Sequence, residues 1–274
     1  MGNSMSTQNL TAQVKALRWF HSIDLGNGVV TPGDKSIETI QKEQRIFFEP
    51  IALKGATLLD IGAWNGAFSF EATRRGAHVL ATDHYVWTHK VWRGREGFDI
   101  ANDVLGLNVK TKIIDVPDIT VESVGRHDVV LFLGVLYHLP SPLTLLQSVA
   151  DVAGECLVVE THADLLHIKT PALAYYPGTT LNGDPTNFFG PNLAFVVEAL
   201  RERGYSTFDS RYQDGRLTVH AWRTNRLRRL GNAPESHIHI KGDVSVAHRI
   251  KTKLARLIRP ASQSGVRNDV GTRS

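Results

Sequence analysis

Thr57-Leu58-Leu59-Asp60-Ile61-Gly62-Ala63-Trp64-Asn65-Gly66 is the stretch that decides the fold. A short apolar run carries one acidic residue, passes through a glycine-bearing turn and leads into an amphipathic helical stretch. A strand that turns so sharply into a helix needs glycine where its backbone must approach a ligand closely. The pattern implies a nucleoside cofactor. A dinucleotide suits it poorly, because the Gly-x-Gly-x-x-Gly turn that admits a pyrophosphate would here carry the bulky Trp64 at its second glycine. Asp60 would also repel a pyrophosphate, whereas it can accept hydrogen bonds from a cationic amino-acid moiety.

Outward from this turn, over about residues 57–223, short β-branched runs alternate with amphipathic helical stretches, the pattern of a sheet covered on both faces. Runs at 57–61, 78–82, 111–114, 128–132 and 156–159 predict five parallel strands. After a helix over 193–203, segments 206–212 and 217–221 flank Asp214-Gly215, a hairpin signal that predicts a closing antiparallel pair. The expected fold class is α/β, a doubly wound sheet of seven strands with helices on both faces and the last strand antiparallel. Helices near 10–19 and 37–48, separated by a Gly- and Pro-bearing loop at 25–33, predict a helical cap over residues 1–50. The sheet domain is placed at 51–225, complete by Asn225, and a basic tail at 226–274. The connection 164–191, rich in Gly, Pro and Asn, follows the fifth strand on the edge where such sheets bind ligands, and is the leading acceptor-recognition segment.

The strand ends repeat the message of the first turn. Asp83 closes the second strand about twenty residues beyond Gly62, where a carboxylate commonly takes ribose hydroxyls. Asp115 ends the third, placed to accept from an adenine amino group, and Leu133-Gly134 end the fourth, where backbone can approach a cofactor. Asp60, Gly62, Ala63, Trp64, Asp83, Asp115, Leu133 and Gly134 are therefore the expected cofactor contacts; the plainer reading of each aspartate is a helix cap.

Four segments together resemble the bacterial methyltransferases related to tRNA wobble-uridine carboxymethyltransferase: Trp19-Phe20-His21-Ser22-Ile23, Gly28-Val29-Val30-Thr31-Pro32-Gly33, Leu59 to Gly66, and Gly134-Val135-Leu136-Tyr137-His138. The resemblance spans residues 19–222. It implies a Rossmann-like seven-stranded methyltransferase sheet and S-adenosylmethionine as cofactor. In the tRNA enzyme the donor is carboxy-S-adenosylmethionine, and the tyrosine matching Tyr137 holds the extra carboxylate together with a lysine and an arginine. Lys35 and Arg216 are the candidates here, with flanking residues that depart from the family pattern. Tyr176-Pro177-Gly178 and the run Leu181 to Asn187 look like another branch, whose acceptors are small molecules or glycans and whose simpler donor is S-adenosylmethionine itself.

Methyl transfer from a sulfonium needs positioning and water exclusion, and a hydroxyl acceptor also benefits from a base. His138, just past the fourth strand, is the leading base, since imidazole titrates near neutral pH. His21 in the cap and Glu160 after the fifth strand are further catalytic candidates. Glu160 and His162 alternate on one side of an extended segment, and with His138 offer an alternative divalent-metal site; the main reading has no metal. His162, Tyr176, Asn182, Asp184, Asn187 and Phe188 are the expected acceptor contacts, with Trp64 and Phe189 in the same aromatic wall.

Composition bounds what remains. The chain has 274 residues, 42% of them hydrophobic, and a single cysteine, Cys156, in an apolar run, which fits a reducing, cytoplasmic setting. No run reaches the length of a membrane span, and the polar start lacks the apolar core of a secretory signal; Gly2 with Ser6 matches a short myristoylation pattern. From Arg223 onward twelve Lys or Arg face three Asp or Glu, a net of +9, so the first 222 residues carry −5 of the overall +4. An acidic body disfavours nucleic acid as partner. In the tail, Val246, Ile250, Leu254, Leu257 and Ile258 share a face beside Arg249, Lys251, Lys253, Arg256 and Arg259, a basic amphipathic pattern suited to an anionic membrane at the cytoplasmic inner face and a lipid-linked acceptor. Three function classes stand: O-methyl transfer to a small molecule or glycan, tRNA wobble-base carboxymethyl or methyl transfer, and a non-catalytic cofactor-binding module.

Overall fold

The computed structural model describes residues 6–229. Ser6 caps α1 (Thr7–Lys15) by accepting the Asn9 amide on its hydroxyl. The helix expected to run to residue 19 stops there, and Trp19 belongs instead to strand β1 (Trp19–His21). Two contacts account for the change, one local and one distant: the Trp19 indole donates to the Val14 carbonyl at 2.9 Å, and the Phe20 amide donates to Asn65 Oδ1 at 2.9 Å. β1 pairs in parallel with β2 (Gly33–Lys35). Gly33 permits that approach, since a Cβ there would lie 2.2 Å from the His21 carbonyl carbon. Ser36 then caps α2 (Ile37–Phe48), which buries Ile40, Phe47 and Phe48. The cap is thus two helices around a small sheet.

The body follows as β3 (Thr57–Ile61), α3 (Ala67–Arg74), β4 (His78–Asp83), α4 (Tyr85–Thr88), α5 (Gly94–Leu105), β5 (Lys110–Ile113), α6 (Val121–Val124), β6 (His127–Leu133), α7 (Pro142–Val152) and β7 (Ala153–His162). After β8 (Leu173–Tyr175), β9 (Phe189–Pro191) and α8 (Leu193–Arg201), the chain closes with β10 (Thr207–Gln213) and β11 (Arg216–Trp222). The main sheet has seven strands in the order β10-β11-β7-β6-β3-β4-β5. Its five strands from β3 to β7 are parallel, and β11 runs antiparallel to β7. Asp214 and Gly215 both take positive φ, 52° and 79°, as the tight hairpin between β10 and β11 requires. The expected long loop at 164–191 is itself pinned by the β8–β9 pair.

Alternation along the strands sorts side chains into two cores. Leu58, Val129, Leu131, Cys156 and Val158 pack on the face shared with the cap and α3, whereas Leu59, Val130, Phe132, Leu157 and Val159 pack on the other face, with α7 and α8. Each such side chain contributes about 1.5–3 kcal/mol on burial. The β5 edge is blunted by Lys110 and Lys112. Among the described residues no helix is long and apolar enough to cross a membrane.

The body does not end at Asn225. Arg226 reaches Glu155 at 3.1 Å and also pairs with Asp128. Leu227 is buried and its carbonyl accepts the Ala52 amide at 2.8 Å. Arg228 sets its guanidinium on Asp209 at 2.9 Å, and the Arg229 amide donates to the Pro50 carbonyl. Residues 226–229, assigned to the tail by sequence, strap the amino ends of the strands, because two arginines there find carboxylates that lie far apart in the chain. The basic amphipathic stretch at 246–258 lies outside the described residues.

A chain ending at Asn225 is therefore expected to lose stability. Leu227→Ala in the full chain should cost about 2 kcal/mol or more, read as a lower urea midpoint; an unchanged midpoint would release the strap from the body.

Candidate functional site

The carboxyl ends of β3, β4, β6 and β7 open on one cavity of about 710 Å³. Gly62 leaves β3 with φ +79°, and a Cβ there would meet the Val135 side chain at 2.7 Å. Only glycine keeps this wall open. Asp60, 2% exposed, accepts the Ser69 hydroxyl at 2.6 Å. Asp83 accepts the Trp64 amide on one oxygen at 3.0 Å and the Val86 amide on the other at 3.3 Å. Burial pushes each carboxyl up to about 6, with the Asp83 charge adding to the rise at Asp60. Asp115 caps the short 3-10 turn after β5 by accepting the Val116 amide, yet still lines the cavity. Leu133 and Gly134 line it from β6. Ala63 is buried in the turn and spends its amide on the Thr82 carbonyl.

Trp64 takes a left-handed backbone, φ 51°, a conformation that costs a side-chain-bearing residue about 1–2 kcal/mol. It is held there from both sides: the Trp87 indole donates to its carbonyl at 2.7 Å, and its ring stacks on Phe20 at 5.0 Å. The cap supplies that Phe20 and, beside it, His21, Lys35, Glu43 and Phe47. His21 is 4% exposed, and burial together with the Lys35 charge drives its pKa down to about 3. So deep a burial weighs against the base role expected of it; the ring packs edge-on against Phe68, and its buried Nδ1 has no hydrogen-bond partner among the described residues.

Tyr137 and His138 follow β6 in a 3-10 turn, their rings 4.1 Å apart. The loop between β8 and β9 docks on that turn through the Phe188 amide, which donates to the Tyr137 carbonyl at 2.9 Å. Burial lowers the His138 pKa, and Arg216 adds to this, against opposing contributions from the Thr186 carbonyl and Asp184. Glu160 is not a free base: Arg216 grips both its oxygens, one at 2.7 Å, and lays its guanidinium 4.7 Å over the Tyr137 ring. Asp184, Asn187 and Phe188 line the cavity. Three other expected acceptor contacts do not. His162 turns to Tyr176, whose hydroxyl donates to Asp164 at 2.6 Å, and Asn182 sits exposed in a left-handed turn. His138, Glu160 and His162 accordingly do not assemble as a metal site, and no cluster of metal-ligating residues occurs among the described residues.

Seven carboxylates and three Lys or Arg side chains line the cavity. Each cation already has a carboxylate: Arg18 with Asp34, Lys35 with Glu43, and Arg216 with Glu160. Asp60, Asp83, Asp115 and Asp184 are left without a Lys or Arg partner among the described residues. The cavity is therefore electronegative and favours a cationic ligand. The sequence reading passed over Thr186, Glu43, Phe68 and Phe20 as site residues. Thr186 stood inside the run Leu181 to Asn187, but its partner His138 is 48 positions away and no local pattern joins them; Phe20 stood inside the motif carrying the resemblance and could have been found there.

This sheet order with glycine and carboxylates at the strand ends defines the class: the chain has the class I methyltransferase fold. In structure it is similar to the N-terminal domain of EvdMO1, crystallised in the presence of SAH and D-fucose, with a TM-score of 0.59 and 19% identity over 81% of this chain and 98% of that one. An O-methyltransferase family protein from Burkholderia thailandensis superposes with a TM-score of 0.51 at 14% identity, covering 67% of this chain and 56% of that one. In sequence it is similar to the tRNA U34 carboxymethyltransferase of Desulfotalea psychrophila, 26% identical over 62% of this chain and 51% of that protein. The ubiquinone biosynthesis O-methyltransferase of Xanthomonas campestris is 30% identical over 37% of this chain and 40% of its own length. The chain spans about half the length of the tRNA enzymes it matches. No protein-family profile matches it.

A carboxyl raised by burial destabilises the folded state once ionised. Its penalty is absent below the unfolded pKa and complete above about 6. Asp60→Asn should therefore gain stability relative to the parent as pH rises from 4 to 7, by roughly 3 kcal/mol for a carboxyl raised from 3.8 to about 6. Urea titrations of both proteins across that range check it; a pH-independent difference would mean that Asp60 is not held in this state.

Proposed function

We propose that this protein is an S-adenosylmethionine-dependent O-methyltransferase acting on a small-molecule or glycan acceptor. The observation that carries the reading is the surplus of carboxylates around a glycine-walled cavity at the strand ends. A sulfonium with an ammonium group meets that charge favourably, whereas a pyrophosphate would be repelled. The residues fit the cofactor. Asp83 has given one N–H contact to each oxygen, and a carboxylate keeps further lone pairs for ribose hydroxyls. Asp60 would face the amino-acid end and Asp115 the adenine. Bound S-adenosylmethionine would supply a methyl carbon that an acceptor oxygen attacks while the sulfur keeps the bonding pair.

The chain's own groups then exclude water, align the acceptor and receive its proton. His138, whose pKa burial lowers so that the neutral ring is favoured, lines the cavity and is the proton acceptor in this reading. Phe20, Trp64 and Phe188 offer ring faces, and Glu43 and Asp184 offer acceptors, a combination that suits a hydroxyl-bearing ring with apolar CH faces. Carboxymethyl transfer to tRNA is the second reading. It is favoured by the meeting of Tyr137, Lys35 and Arg216 in one cavity. The carboxylates already paired with both cations weigh against it, as does the acidic lining that a phosphate chain would meet. In the lipid-linked form of the first reading, residues 246–258 rest on an anionic membrane at the cytoplasmic face; cosedimentation with anionic vesicles that falls with salt is expected, and full-length protein that ignores such vesicles at low salt would end that form.

Calorimetry should find S-adenosylmethionine bound by the parent and about 10- to 100-fold weaker in Asp83→Ala, the worth of charge-assisted bonds. Because the ionised carboxylates bind the cation, affinity should drop as pH falls through about 6. His138→Ala should keep that affinity and lower turnover on hydroxylated acceptors by about 10²–10⁴. Absence of binding by the parent would overturn the cofactor assignment, and mass spectrometry of retained ligand separates the two donors.

A further inference from the structure

The loop that follows β8 folds back so that two polar groups of Thr186 meet at one nitrogen of His138, with Asp184 behind them. The Thr186 carbonyl lies 2.9 Å from His138 Nδ1, and the Thr186 hydroxyl oxygen lies 3.1 Å from the same atom. That hydroxyl is 2.7 Å from Asp184 Oδ1, which also accepts the Thr186 amide at 2.8 Å. An ionised carboxylate can only accept, so the hydroxyl's single proton goes to Asp184, and its oxygen turns lone pairs toward His138. A carbonyl likewise only accepts. Both neighbours of Nδ1 are thus acceptors, which leaves Nδ1 as the protonated nitrogen and Nε2 with the free lone pair.

We propose that Asp184 and Thr186 are positioning residues that lock His138 in its Nδ1–H tautomer, so that Nε2 is the atom that takes the acceptor's hydroxyl proton. The step balances simply: the oxygen–hydrogen bond breaks as Nε2 gains the proton, and the freed pair on oxygen forms the new bond to the methyl carbon. The imidazolium so formed is stabilised by the Thr186 carbonyl and, through the hydroxyl, by the Asp184 charge; Arg216 opposes it, and the Tyr137 ring lies against it, tilted by 37°. Neither residue needs to touch the acceptor to do this. The loop 184–188 is then both a wall of the cavity and the orienter of its base, and its docking on the Tyr137 carbonyl fixes the two together.

The proposal rests on the base assigned to His138 above, and its test is independent of any acceptor. Long-range ¹⁵N–¹H spectra of the full chain at neutral pH report the tautomer of each of the 12 histidines, and the His138 signal is the one lost in His138→Gln. A single Nδ1–H tautomer is expected in the parent and in Thr186→Ser. In Asp184→Ala the Thr186 hydroxyl is released to donate toward Nδ1, so the tautomer ratio should shift toward Nε2–H by about five- to tenfold, the worth of one hydrogen bond. The imidazole pKa should move down with the lost charge; Asp184→Asn gives the same reading of the pKa if the alanine variant does not fold. An Nε2–H tautomer in the parent would overturn the proposal. So would a tautomer ratio and pKa unaltered in folded Asp184 variants. S-adenosylmethionine affinity, measured alongside, separates the two levels: lost cofactor binding by the parent sinks the functional reading and leaves the locked tautomer standing, while a mixed tautomer with normal binding sinks only the lock.

Discussion

The Asp83 carboxylate accepts the Trp64 amide on one oxygen and the Val86 amide on the other, and the glycine turn, the start of α4 and the cavity floor all depend on that pair of bonds. The turn leaves β3 through a residue that must be glycine and continues through Trp64 in a backbone geometry most side chains avoid. Such strain persists only where surroundings over-determine it. Here Asp83 fixes the Trp64 amide, Trp87 fixes its carbonyl, and Phe20 covers its ring. Removing water from the carboxylate is costly, which is why its pKa rises to about 6. That cost is the counterpart of a negative site ready for a cation.

The cap has a similar logic. Its small parallel sheet places Phe20, His21 and Lys35 over the turn, and Asn65 ties that sheet to the body through the Phe20 amide. Burial leaves His21 neutral, and Glu43 neutralises Lys35. The cap closes the cavity while adding almost no net charge. Polarity is instead concentrated at the strand ends and at the loop carrying Asp184. A site built this way separates a charged half at the strand ends from a nearly neutral, aromatic half under the cap.

The pairing of Glu160 with Arg216 joins neighbouring strands at the same edge. Alone, Glu160 would be a buried charge on β7, and Arg216 would be the first residue of β11. Together they make a cross-strand pair whose guanidinium supports the Tyr137 ring. The tyrosine in turn presents its carbonyl to the Phe188 amide and its ring to His138. Charge pairing on the sheet therefore sets the orientation of groups two steps away.

Much of this was legible in sequence wherever the signal is local. Strand periodicity located the five parallel strands and the closing hairpin, since alternation within a few residues reports burial directly. The turn Asp60 to Gly66 and the strand-end positions of Asp83, Asp115 and Gly134 followed from the same short-range pattern. What the sequence could not decide were contacts between segments far apart in the chain. Trp19 reads as the end of a helix until Gly33 and Asn65 claim its strand. Glu160 reads as a base until Arg216, 56 positions on, pairs with it, and His138 reads as a lone imidazole until Thr186, 48 positions on and held by Asp184, meets its Nδ1. Residues 226–229 read as tail until Asp128, Glu155 and Asp209 converge on their arginines. Local pattern by itself determined the sheet, its turn and the carboxylates at the strand ends that line the cavity. Tertiary structure alone decided which titratable groups are paired, neutral or oriented, because those states are set by burial and by partners that chain closure brings within hydrogen-bonding distance.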